Sequence, residues 1–219
     1  MKKTVFILMT SLLANLVIAQ SEKFVSAMEQ LVPAVDTTHS VEGLDNLANS
    51  FERIANAEKT QWLPYYYASF CYITKAYMMT QGNVMGGNAS VSDPIADKAE
   101  GWLTKADELN KDNSEIYCVK KMLATLRMMG DPMNRYMTFG PAAAEALETA
   151  KKLNPDNPRV YLLEAQDKFY TPEQYGGSKE EAKKLFDEAA KKYGFFKPES
   201  TIHPSWGMGQ VQYFLSQLK

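Results

Sequence analysis

Apolar and small residues recur along the chain at helical spacing. Three segments carry a small residue, a large apolar residue four positions later and an alanine three positions after that: Ala99/Leu103/Ala106, Ala143/Leu147/Ala150 and Ala182/Phe186/Ala189. A looser copy is Leu47/Phe51/Ile54. These offsets place all three residues of a segment on one face of an α-helix. The small members predict that a neighbouring helix comes close at that face.

Each of these helical segments is followed by a stop signal and then by an aromatic residue that opens another helical stretch. The helix-ending positions are Lys59, Lys111, Pro155 and Gly194. Tyr65, Tyr117 and Tyr161 follow six residues after the first three, and Trp206 follows twelve residues after the fourth. Helices are therefore predicted over residues 62–80, 114–129, 158–170 and 206–218, with a further one opening near Phe24.

The order of these residues resembles the tetratricopeptide repeat, a helix-turn-helix unit of 34 residues. Tyr65-Ala68-Ser69-Tyr72 matches the first helix of that unit, and Ala143-Leu147-Ala150-Pro155 matches the second. The resemblance implies an all-α, right-handed solenoid of about four and a half helix pairs, with the helix at 206–218 as an unpaired cap. A compact irregular helical bundle is the alternative.

The chain departs from the repeat pattern in two ways. Lys120, Lys121 and Glu164 stand where the first helix of a repeat carries small residues. Extra residues, predicted to form inserted loops, lie at 81–92, 130–140 and 171–177. The pattern therefore predicts helical-repeat architecture more strongly than strict repeat geometry.

The N-terminus has the pattern of a signal peptide. Met1-Lys2-Lys3 precedes a mostly apolar run that ends at Val17-Ile18-Ala19, and cleavage is predicted after Ala19. The run is shorter than a membrane-spanning helix and contains polar residues, although an uncleaved anchor is the alternative. The mature repeat domain is then residues 20–219, in the periplasm of a bacterium or secreted from it.

Composition narrows the classes of function. The 219 residues carry a formal net charge of -2, without the basic excess that nucleic-acid binding needs. Export to an oxidising compartment makes a disulfide between Cys71 and Cys118 conceivable, but both lie in apolar helical surroundings, which favours two buried free thiols. The mature chain is expected to have no membrane span, and its oligomeric state stays open.

No catalytic, cofactor or metal motif stands out, so the chain is predicted not to be an enzyme. His203 lies in a loop between Ile202 and Pro204, without a cysteine or serine placed as its nucleophile. The methionines between residues 78 and 137 could hold Cu(I), but they are spread over helices and loops. Filling of the core or of contact surfaces is the favoured interpretation for these methionines.

The resemblance implies a concave groove, lined by the first helix of each repeat, that takes an extended peptide or a partner's helix. The corresponding positions in this sequence are Tyr66, Phe70, Met122, Leu126, Arg159, Leu162, Gln166 and Phe169. The predicted function is a non-enzymatic scaffold that binds a protein or peptide of the cell envelope. The groove could instead be filled by inserted loops or by the N-terminal segment. The alternative function is a small-molecule carrier, associated with transport, whose pocket lies under the inserted loops.

Overall fold

The computed structural model describes residues 22–80 and 87–219, which form α-helices joined by turns and one longer connection. The predicted signal peptide lies outside the described residues. The helices are α1 (residues 22–35), α2 (Val41–Ala57), α3 (Trp62–Thr80), α4 (Ala89–Leu109), α5 (Ser114–Gly130), α6 (Pro132–Leu153), α7 (Pro158–Tyr170), α8 (Lys179–Phe195) and α9 (Met208–Gln217). A short 3-10 turn, Glu173–Tyr175, lies between α7 and α8.

Short polar side chains set where several helices begin. The Asn113 side chain accepts from the backbone N–H groups of the first turn of α5, and the Asn157 side chain accepts from Arg159 N–H in α7. Ser178 caps α8 in the same way. The predicted helices at 62–80 and 158–170 are confirmed, and α5 extends one residue further than expected.

The predicted loop at 130–140 is wrong, because α6 begins at Pro132 and continues to Leu153. Asp131 caps this helix, and Pro132 lies in the first turn, where no backbone donor is needed. Pro141 removes one donor inside the helix, but α6 packs along α5, and such packing supplies most of a helix's stability. Residues 89–92, also predicted to be loop, form the first turn of α4. The segment 171–177 does contain the expected non-α-helical connection.

Each helix from α2 onward packs mainly against its neighbours in sequence, and α3–α5 and α5–α7 contacts join alternate helices. The repeated triplets lie in the core, where Ala99, Ala106, Ala182 and Ala189 are completely buried. Cys71 and Cys118 are buried free thiols, as expected, and burial raises the pKa of both. Among residues 22–80 and 87–219, no helix combines the length and the apolar character that crossing a membrane requires.

The residues that break the repeat pattern form ion pairs between helices. The buried Lys121 ammonium lies 2.5 Å from Asp167 in α7, and Lys120 lies 2.8 Å from Asp107 in α4. Glu164 lies 2.9 Å from Lys151 in α6. Close contact between small residues is thus replaced at these positions by paired charges.

Candidate functional site

A cleft runs along the edge of the molecule where α3, α5 and α7 begin. It has a volume of about 800 Å³. It is lined by Trp62, by the start of α5 and by the α6–α7 turn. The end of α8 also lines it, as does the connection that follows α8, here called the C-terminal segment (Phe196–Gly207). The volume lies within the range of small-molecule sites, about 300–1,000 Å³.

The apolar part of the cleft is aromatic and partly open to solvent. Trp62, Leu153, Phe196 and Pro204 line it, and the Phe195 side chain at its rim is 80% exposed. Phe195 follows Lys191 and Glu188 at helical spacing, so one face of α8 is presented to the cleft. An exposed aromatic ring beside a cleft offers a flat apolar surface for a ligand.

Charges of both signs surround this aromatic part. Lys192 lies 2.9 Å from Asp156, and Lys191 lies 3.8 Å from Glu188. Lys197 also lines the cleft, as do the carboxylates of Asp112 and Glu199. The site is therefore amphipathic, with lysines mainly on the α8 side.

His203 projects from the C-terminal segment with both ring nitrogens near polar groups. Its Nδ1 lies 2.8 Å from the Ser200 hydroxyl, and its Nε2 lies 3.3 Å from the Glu199 carboxylate. The imidazole also meets the Trp62 ring edge to face at 5.9 Å. Burial lowers the pKa of His203, and Glu199 opposes that shift only in part. The imidazole is therefore mainly neutral at pH 7.

A buried ion pair lies at the base of the cleft. Glu115, which lines the cleft, has one carboxylate oxygen 3.2 Å from Nη1 of Arg159. Burial raises the pKa of Glu115, and the Arg159 guanidinium opposes this shift. Arg159 is completely buried and also donates to the carbonyl oxygen of Pro204. The pair therefore connects α5, α7 and the C-terminal segment.

The residues predicted to line a concave groove are brought together, but the chain itself covers most of them. The Trp206 indole N–H donates to the Tyr66 hydroxyl at 2.9 Å, and its ring lies 4.5 Å from that of Phe70. Gln166 donates to Gln210 of α9 at 3.1 Å, and Phe169 lies 5.0 Å from the ring of Phe214.

The remaining groove positions are also buried. Leu126 and Leu162 are fully buried, and Met122 is nearly so. Five of the eight positions, namely Tyr66, Phe70, Arg159, Gln166 and Phe169, thus contact the C-terminal segment or α9. Partner binding at these eight positions stays a prediction.

Within residues 22–80 and 87–219, no three His, Cys, Asp or Glu side chains come together as a cation site.

Comparison with solved structures shows a relative that is similar in both fold and sequence. No family model and no curated protein matches the chain. A solved structure, the HusA haemophore from Porphyromonas gingivalis, superposes with a TM-score of 0.76 at 34% sequence identity, over 90% of this chain and 92% of that one. The chain belongs to the HusA haemophore family. Its all-helical fold is shared with HusA, whereas membership of the tetratricopeptide family stays a resemblance.

Sequence reasoning did not find the cleft of this HusA relative. In the sequence, His203 is only a loop residue without a nucleophile nearby, and Trp62 is only the first residue of a predicted helix. The cleft forms because the C-terminal segment folds back across α3 and α7, a contact between residues about 140 positions apart. The periodicity of apolar residues shows which face of a helix is buried, but it does not show which distant part of the chain packs against that face. The pair Phe195-Phe196 after a charged helix was the one available hint.

Proposed function

We propose that this chain is an exported, non-enzymatic carrier that binds haem or a closely related flat macrocycle in the edge cleft. The observation that carries the proposal is the aromatic cleft of about 800 Å³, with the Phe195 ring 80% exposed at its rim, in a relative of a haemophore. This agrees in kind with the small-molecule carrier that the sequence left as the alternative. That alternative placed the pocket under the inserted loops, whereas the described lining residues lie at 62, 112–115, 153–156 and 188–204.

Stacking is the interaction that the cleft supports best. A tetrapyrrole is a wide, flat and largely apolar ring, and aromatic side chains pack against such rings in offset or edge-on geometry. Phe195 and Trp62 both line the cleft and offer aromatic rings to a ligand. Burial of the macrocycle against these rings removes apolar surface of both partners from water.

The iron atom contributes little in this proposal. His203 is the histidine that lines the cleft, and Ser200 and Glu199 already engage its two ring nitrogens. An axial bond to iron requires a free imidazole nitrogen. Affinity then comes from the ring faces and from the carboxylates at the edge of the macrocycle, for which Lys191 and Lys197 supply cations. Carboxylates at Asp112 and Glu199 repel the acidic edge and so favour one orientation.

A titration of the mature chain with ferric haem and with iron-free protoporphyrin IX tests the proposal. Both are expected to bind saturably with similar affinity, because neither needs an iron ligand. Phe195→Ala is expected to weaken both by about tenfold, which is the loss of one stacking contact of roughly 1.4 kcal/mol. Tyr213→Ala is the control, because Tyr213 is a 61% exposed aromatic on α9 outside the cleft. Absence of saturable binding, or equal binding by Phe195→Ala and wild type, contradicts the proposal.

The protein-partner function remains a second proposal, supported by one observation. A peptide segment of the chain itself, residues 202–206, lies against the helices through backbone carbonyls that accept from Tyr67, Arg159 and Tyr193. An envelope protein or peptide binding there must displace this segment. A pull-down from envelope extract with wild type and a Tyr66/Phe70/Phe169 triple alanine variant tests it, and equal capture by both moves the partner site elsewhere.

The same proposal includes the arrangement of the helices as a solenoid and the export of the protein from the cell. Packing between neighbours in sequence, with α3–α5 and α5–α7 contacts, supports a right-handed tetratricopeptide-like solenoid. Kinship with a haemophore supports export, to the periplasm or the outside, after removal of residues 1–19. Mass spectrometry of the protein recovered from the producing cell tests this, with an N-terminus at Gln20 as the expected result.

A further inference from the structure

The C-terminal segment forms one wall of the cleft without any regular secondary structure of its own. It leaves the end of α8 at Phe196 and reaches α9 after Gly207. Lys197, Glu199, His203 and Pro204 of this segment line the cleft. The position of this wall therefore depends on the contacts that hold the segment against the helices.

Arg159 makes the most concentrated set of those contacts. Its guanidinium is completely buried and donates to the carbonyl oxygen of Pro204. The guanidinium carbon also lies 4.7 Å from the centre of the Phe196 ring and 5.2 Å from that of Trp206. One charged group thus contacts the beginning, the middle and the end of the segment.

The same guanidinium is bound to the base of the cleft. Nη1 lies 3.2 Å from Glu115 and 3.4 Å from the Asn157 side-chain oxygen. Glu115 lines the cleft from the first turn of α5, so Arg159 joins α5 to the C-terminal segment. A buried guanidinium is costly unless it is paired and hydrogen-bonded, so its contacts with Glu115, Asn157 and Pro204 hold these groups close to it.

We propose that Arg159 is the positioning residue of the cleft, which sets its width, and hence its affinity for a flat macrocycle, by holding the C-terminal segment at a fixed distance from α5. This inference rests on the proposed function for the identity of the ligand, and on the contacts of Arg159 for the rest. Other attachments, such as the Tyr67 hydroxyl to the Ile202 carbonyl at 3.1 Å, each join the segment to a single group.

The test compares Arg159→Ala with Arg127→Ala, a matched control. Arg127 is a largely buried arginine with two acidic partners, Asp97 and Glu100, and it does not line the cleft. Binding of iron-free protoporphyrin IX is measured at a temperature at which circular dichroism shows each variant to be folded. Amide hydrogen exchange over residues 196–207 is measured on the same samples, without and with millimolar methylguanidinium.

Arg159→Ala is expected to lose at least about tenfold in affinity and to exchange faster over residues 196–207. Methylguanidinium is expected to restore part of both, because it fits the space that the side chain leaves and can take up its hydrogen bonds. Arg127→Ala is expected to match the wild type in both measurements. If Arg159→Ala does not fold, Arg159→Lys is measured by the same criteria, with an intermediate loss expected.

The outcomes separate the two proposals. Unchanged affinity in a folded Arg159 variant overturns the positioning role, as does a loss of affinity with unchanged exchange and no rescue. If wild type itself binds no porphyrin, the proposed function fails, and the part of this inference that concerns affinity fails with it. Exchange and rescue over residues 196–207 then still decide whether Arg159 holds the segment.

Discussion

The Trp206→Ala variant tests whether the C-terminal segment is an integral part of the core. The Trp206 side chain is only 2% exposed, its ring lies 4.5 Å from that of Phe70, and its indole N–H donates to the Tyr66 hydroxyl. Truncation of a buried tryptophan to alanine costs about 3–5 kcal/mol in free energy of unfolding, from lost transfer energy and the cavity left behind. Trp206→Phe keeps most of the ring packing and loses the hydrogen bond, so about 1–2 kcal/mol is expected.

Urea denaturation followed by far-UV circular dichroism measures these differences without dependence on tryptophan emission. Phe195→Ala is the control, because it removes an aromatic side chain of similar position in sequence that is 80% exposed. Its expected cost is within about 0.5 kcal/mol. A cost below about 1 kcal/mol for Trp206→Ala would refute the packing described, because the segment would then be detached from the groove in solution.

Three further predictions each concern the replacement of a single residue. Ser114→Ala should cost about 1–3 kcal/mol by urea denaturation, because the buried hydroxyl donates to the Ala150 carbonyl at 2.8 Å and accepts from Asn157. Gly207→Ala should lower the melting temperature, because φ at Gly207 is +114° and the new Cβ would lie 2.1 Å from the Tyr193 hydroxyl. Gly194→Ala is the control and should leave the melting temperature unchanged, because its Cβ meets nothing within 4 Å. Wild type should lose stability relative to His203→Gln as pH falls from 7.5 to 5.5. The reason is that the pKa of His203 is lowered in the folded state, so the unfolded state takes up the proton first. Equal slopes of the free energy of unfolding against pH for the two proteins would contradict this.

Local helical structure could be predicted well from the sequence because the information is local. The stop signal at Pro155 and the cap at Asn157 define the start of α7, and periodic apolar residues define its length. The prediction of a loop at 130–140 was wrong because it relied on a local signal alone. Gly140-Pro141 is a valid local signal for a turn, but Asp131 and Pro132 start a helix there and packing on α5 continues it through the proline.

The candidate site could not be predicted in the same way. Tyr66, Phe70 and Arg159 all contact Trp206 in the structure, but the repeat pattern gave no information about which part of the chain covers them. The cover is the chain's own segment, which binds mainly through backbone carbonyls and one indole, so few of its residues carry a recognisable sequence signal. The cleft is a product of that long-range contact, and its lining residues come from five separate parts of the chain.

The three tryptophans of the chain provide the most direct test of the central claim, because each reports on a different place. Trp62 lines the cleft, whereas Trp102 packs against Tyr65 at 5.6 Å, away from it. The measurement is the set of indole N–H resonances in a proton–nitrogen NMR spectrum during addition of iron-free protoporphyrin IX. The account predicts that the Trp62 signal shifts or broadens in step with binding while that of Trp102 stays in place. Saturable binding that leaves Trp62 unchanged would contradict the assignment of the cleft as the ligand site.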